Sequence, residues 1–180
     1  MQTRVRVLAI AAAAVTAVAC GSDKTTQPVS KIVNFTANLN PAGELGANLN
    51  GNPSGSGTFQ ATLDTSTHVF TFTLQFSGLT SNVNNGHIHG PFIPGGGLNS
   101  AGVILNFNPA VVPGVTFTGF GTATSGSASG TVTLTAANTF GNPAVHGDSI
   151  EKLLLAGDTY VNIHTATNGG GEIRAQILKQ

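Results

Sequence analysis

Along most of the chain, apolar and polar side chains alternate one for one. In KIVNFTANL, Val33, Phe35, Ala37 and Leu39 fall on one face, and in THVFTFTLQF, Phe70, Phe72, Leu74 and Phe76 do the same. A period of two belongs to a strand with one buried face. The intervening threonines, β-branched and polar, suit its solvated side. The segments GTFQATLD, GVILNF, TFTGFGTA, SGTVTLTA, DTYVNIHT and GEIRAQIL are further strand candidates, separated by Gly, Pro, Asn and Ser clusters that make turns. About eight short strands joined by turns predict an all-β fold, an antiparallel β-sandwich of immunoglobulin-like, Greek-key type.

One segment follows a different period. In GDSIEKLLLAGD, Ile150, Leu153 and Leu154 share a helical face, Asp148 and Glu151 have capping-box spacing, and Gly157 can close the last turn. A short helix is therefore expected near residues 149–156, packed on the sandwich.

The N-terminus obeys neither period. MQTRVRVLAIAAAAVTAVAC places Arg4 and Arg6 ahead of an apolar run, Val7 to Ala19, that ends in small residues, as an export signal does. The run is too short to span a bilayer core, which needs roughly 20 helical residues, so residues 1–19 read as a signal peptide. Cys20 is the only cysteine, which excludes an intramolecular disulfide. Its place after Ala17-Val18-Ala19 and before Gly21-Ser22 resembles the lipobox of bacterial lipoproteins, in which the cysteine becomes lipidated and N-terminal. The alternative is ordinary signal-peptidase cleavage after Ala19, which leaves a free thiol. On the lipobox reading the lipid on Cys20 anchors an exported protein to the membrane at the periplasmic or outer cell surface. Residues 20–30, ending in the polar GSDKTTQPVS, form the tether, and residues 31–180 form the sandwich domain.

Composition narrows the class. Only 8% of residues are charged and 24 are glycine, a balance that raises the question of disorder. Ten phenylalanines, with Val, Ile and Leu at alternating positions, answer it by supplying apolar surface for one core. With Arg4 and Arg6 removed, the 7 acidic groups leave a net charge of about −2, which excludes a nucleic-acid partner.

Candidate chemistry concentrates in GHIHGP. On a strand, His87 and His89 point to one side and Ile88 to the other, so both imidazoles can converge on one ion. Two ligands hold a metal weakly, and His164 in YVNIHT is the natural third, giving an open three-imidazole site suited to copper or zinc. Glu172, after the NGGG loop, is placed to supply a fourth ligand or to orient an imidazole. A purely structural role stands beside this one, with the histidines bonding turn backbone and Glu172 pairing with Arg174. His68 and His146 fall in strand edges or loops without such company. The chain has no G-x-S-x-G elbow, P-loop lysine, H-E-x-x-H or dinucleotide fingerprint, so no catalytic residues are assigned and a binding role is favoured over an enzymatic one.

The order FTANLNPAGE, GSGTFQATLD, FTFTLQFSGLT, GHIHGP, LLLAGDTYVNIHT and GGGEIRAQI resembles the CHRD domain, the module first described in chordin. The resemblance runs from about Lys31 to Leu178. It implies an extracellular binding or interaction module without known enzymatic activity, with an unknown protein or polysaccharide as partner. With one tyrosine and no tryptophan, the chain lacks the aromatic platforms usual for carbohydrate.

Overall fold

The computed structural model describes residues 31–96 and 100–180. The expected signal peptide (1–19), Cys20 and the expected tether lie outside the described residues. The strands are β1 (Ile32–Leu39), β2 (Ser56–Asp64), β3 (Val69–Ser77), β4 (Val83–His89), β5 (Val103–Asn106), β6 (Val115–Phe117), β7 (Gly126–Thr133), β8 (Thr139–Phe140), β9 (Val145–His146), β10 (Tyr160–Thr165), β11 (Ile173–Gln176) and β12 (Leu178–Lys179). A 3-10 turn spans Pro41–Gly43, and the one α-helix, α1, spans Gly147–Ala156.

These strands build the expected sandwich of antiparallel sheets, six-stranded in the order β12-β1-β2-β3-β7-β6 and four-stranded in the order β11-β10-β4-β5, with a small β8–β9 hairpin. The alternation seen in the sequence is the burial pattern of the large sheet. Phe35, Ala37 and Leu39 on β1, Phe59 and Leu63 on β2, and Phe70, Phe72, Leu74 and Phe76 on β3 are all buried. Phe72 sits at the centre, its ring 6.1 Å from Phe59, 5.9 Å from Phe70 and, across the sandwich, 4.9 Å from Phe107.

The small sheet differs, because it is covered on both sides. All six residues of β10 are buried, including Tyr160, Asn162, His164 and Thr165. Val161 and Ile163 join the core, while Tyr160, Asn162 and His164 face away from it, toward loops that cover the outer surface.

Three expectations change in detail. The helix starts earlier than expected, and its N-cap is His146, with no side-chain cap. Glu151 is drawn away from any capping box by His68, whose Nδ1 lies 2.8 Å from its carboxylate, and Asp148 instead accepts from Lys152. GEIRAQIL is not one strand: β11 belongs to the small sheet and β12 to the large one, so the chain crosses between sheets at Ile177. TFTGFGTA keeps its strand only to Phe117, beyond which Gly119 and Gly121 adopt positive φ.

Replacing Phe72 by Ala removes the ring that joins the two sheets. Chemical denaturation should show a loss of about 3–5 kcal/mol, and a loss under about 1 kcal/mol would contradict this placement of the core.

Candidate functional site

The outer face of the small sheet collects the histidines. On β4, Ile88 enters the core, so His87 and His89 face outward. Pairing of β4 with β10 sets His87 opposite Asn162 and His89 opposite Tyr160, which leaves His164 diagonal to His87. One ring nitrogen from each of His87, His89 and His164 lies within 4.8 Å of the other two. Among the described residues no other group of this kind occurs.

Backbone carbonyls set the protonation pattern. Nδ1–H of His89 donates to Ala101 O at 2.9 Å and Nδ1–H of His164 donates to Gly169 O at 3.0 Å. A carbonyl only accepts, so in the neutral rings Nε2 of both histidines carries the lone pair. Nδ1 of His87 lies 3.1 Å from His164 Nε2 and donates to it. His89 Nε2 is buried without a hydrogen-bond partner. A cation that replaced the proton between His87 and His164 would meet two lone pairs there and a third from His89. Tetrahedral zinc with bonds of about 2.0–2.1 Å sets its nitrogens about 3.3 Å apart, close to the His87–His164 spacing, and a His89 nitrogen lies within 4.8 Å of both.

Electrostatics keep these rings ready. Burial, with His164 and His89 as neighbours, pushes His87 down to about 3. Burial likewise pushes His89 down to about 4, against the opposing Ala101 carbonyl, and lowers His164. All three are neutral at pH 7, the form that binds metal.

The surrounding groups hold this face in place. The His89 ring stacks on Tyr160 at 4.7 Å and 5°, and the Arg174 guanidinium carbon lies 3.4 Å from the Tyr160 ring centre and 4.4 Å from that of Phe92. Ala101 is clamped twice, its carbonyl by His89 and its N–H donating to Tyr160 Oη at 3.2 Å.

Glu172 does not join the histidines. Its carboxylate accepts from Thr80 N at 2.7 Å, Thr80 Oγ1 at 2.6 Å, Thr165 Oγ1 at 2.7 Å and Asn168 Nδ2 at 3.2 Å. Burial acts to raise its pKa, but these donors outweigh burial and hold it below the usual carboxylate range. The carboxylate fixes the 165–171 loop, which presents Gly169 O to His164, so Glu172 orients an imidazole through backbone and not by contact. His68 and His146 lie apart from the site, on Glu151 and on the Ala136 carbonyl.

Glu44, which the sequence did not single out, is brought to this face instead. It follows the 3-10 turn, and that turn is locked to β11 by Asn40 N–H to Arg174 O at 3.3 Å and Arg174 N–H to Asn40 O at 3.1 Å. The contact requires glycine at 43, since a Cβ there would stand 2.0 Å from Arg174 O. Glycine is equally required at 171, where φ is +130° and a Cβ would fall within 2.4 Å of Glu44 Oε1. Asn162 Nδ2 donates to Glu44 Oε1 at 3.5 Å. Burial, against the opposing Arg174 charge and Asn162 bond, lifts the Glu44 pKa to about 7. The only sequence cue was an acidic residue closing a strand-ending Asn-Pro-Ala-Gly turn.

The pKa shifts fix a pH dependence for the metal-free chain. The buried imidazoles refuse protons that the unfolded chain accepts below 6.5, so stability falls as pH drops from 6.5 toward 4, where His89 titrates, and on toward 3, where His87 does. Glu44 acts oppositely between 4.5 and about 7, because the fold retains its proton. Three imidazoles against one carboxyl give net acid destabilisation, and His87→Gln should make denaturation curves less pH-dependent across this window. An unchanged dependence would contradict a buried, neutral His87.

No curated protein and no solved structure matches the chain. The CHRD domain family does match, over residues 35–177, a span that runs from the core of β1 to the crossover at Ile177 and includes all three histidines. The chain thus belongs to the CHRD domain family.

Proposed function

We propose that this protein is an exported, lipid-anchored interaction module whose binding centre is a copper or zinc ion held by His87, His89 and His164. The observation that carries the reading is the convergence of three neutral imidazole nitrogens within 4.8 Å, two of them with their lone pairs fixed by backbone carbonyls. An all-nitrogen donor set suits either ion, and the Irving–Williams order favours copper at equal availability. Three protein ligands leave room for an exogenous one, as in open metal sites. Family membership supports an extracellular interaction role.

The metal assignment predicts one equivalent of copper or zinc in the full chain purified without tag or chelator. His87→Ala and His164→Ala should each weaken binding by at least about tenfold, while His68→Ala, which touches only Glu151, should leave it unchanged. Elemental analysis with competitive titration checks this, and equal metal content in all the variants would sink the assignment.

The anchor rests on Cys20 and its lipobox-like setting. Among the described residues no helix is long and apolar enough to cross a membrane. In the native host the protein should partition into detergent, and Cys20→Ala should move it to the soluble fraction. Unchanged partitioning of the variant would argue against lipidation.

A further inference from the structure

Strand order sets a fixed positive charge behind one of the three imidazoles. Strand β10 runs between β4 and β11, so Tyr160 stands between His89, its partner on β4, and Arg174, diagonal to it on β11. The His89 ring lies parallel to the phenol at 4.7 Å, and the Arg174 guanidinium carbon is 3.4 Å from the phenol centre. Imidazole, phenol and guanidinium thus form one stack across three strands. Arg174 is 4% exposed, so little water screens its charge.

The three-imidazole reading does not require a cation here. A site that had only to attract a divalent ion would gain from a carboxylate at this place, whereas an arginine repels whatever ion the imidazoles hold. A guanidinium does not give up its proton, so the repulsion is permanent. It reaches His89: burial, and to a lesser extent the Arg174 charge, hold that imidazole down to about 4, against the opposing Ala101 carbonyl. Glu44 lines the same cleft as Arg174 and His89, but it offsets the arginine only when ionised, and burial lifts its pKa to about 7.

Coulomb repulsion scales with the charge of the bound ion, so a guanidinium about 8 Å from the imidazole centre penalises a divalent ion twice as heavily as a monovalent one. Three neutral imidazoles add no negative charge that would restore the balance. We propose that Arg174 is a specificity-determining residue, a fixed charge that biases the His87, His89 and His164 site toward monovalent copper(I) and against divalent zinc and copper(II). It ligates no metal and acts through space across the Tyr160 ring.

The inference rests on the metal reading, and one set of titrations separates their failures. The full chain is titrated with zinc(II) and, anaerobically, with copper(I), each against a chromophoric chelator. At pH 6, where Glu44 keeps its proton, Arg174→Met should bind zinc at least about tenfold more tightly than wild type and copper(I) only about threefold more tightly. Arg174→Lys retains the charge and should leave both affinities close to wild type. The Asn40–Arg174 bridge is made by backbone atoms and persists in both variants. Glu44→Gln at pH 8 removes the compensating carboxylate and should act in the opposite sense, weakening zinc more than copper(I). That variant carries the test if Arg174→Met does not fold. Zinc and copper(I) affinities that change by the same factor in Arg174→Met or in Glu44→Gln, or that do not change in either, would overturn the assignment. An Arg174→Lys variant that behaves like Arg174→Met would overturn it as well. A wild-type chain that binds neither ion would overturn the metal reading and this inference with it.

Discussion

Two backbone carbonyls, those of Ala101 and Gly169, decide the chemistry of this domain. Each takes the Nδ1 proton of one histidine and so turns that ring's Nε2 lone pair toward the same point. An imidazole free to choose its tautomer would present a donor as readily as an acceptor. The loops that carry the two carbonyls are held accordingly. Ala101 is pinned to Tyr160, and the 165–171 loop is pinned by Glu172 to Thr80, Thr165 and Asn168. Glu172 thus matters to the site at one remove, through the backbone it shapes.

The same constraint explains why the small sheet is covered on both faces. Antiparallel sheets ordinarily leave one face wet, as the large sheet does with its threonines. Had β10 been half-solvated, His87 and His89 would titrate near 6.5 and be partly protonated in mildly acidic surroundings. Covered by the 3-10 turn and the loops around residues 92, 101 and 170, they stay neutral. The covering is close packing of backbone on side chain, and it tolerates nothing larger than glycine at 43 and 171.

The fold was legible where one physical signal dominated. Period-two alternation located β1, β2 and β3 to within about two residues, because Phe35, Phe59, Phe70 and Phe72 had only one core to enter. The convergence of His87, His89 and His164 on one face was also readable, since strand geometry alone puts residues i and i+2 on one side. Other features depended on contacts distant in sequence. Glu151 left its expected cap for His68, a residue of the β2–β3 turn. The crossover at Ile177 became visible only once β1 offered an edge for β12. Glu172 lies away from the histidines and Glu44 beside them because nearness to a histidine in space follows from the Asn40–Arg174 bridge, which no local pattern encodes.

The balance of donors and acceptors at the site carries the argument furthest. A domain selected for stability alone gains nothing from burying His89 Nε2 and Asn162 Oδ1 without partners, each at a cost of about 1–3 kcal/mol. Nor does it gain from a carboxyl whose proton affinity burial has raised. Apolar side chains of similar size would fill the same volume at lower cost. These departures cluster in one place, against the background of a core that is otherwise consistently apolar, and such local violations mark functional sites. A cation held by the three imidazoles would take up the His89 Nε2 lone pair, whereas a neutral apolar ligand would leave it as it is.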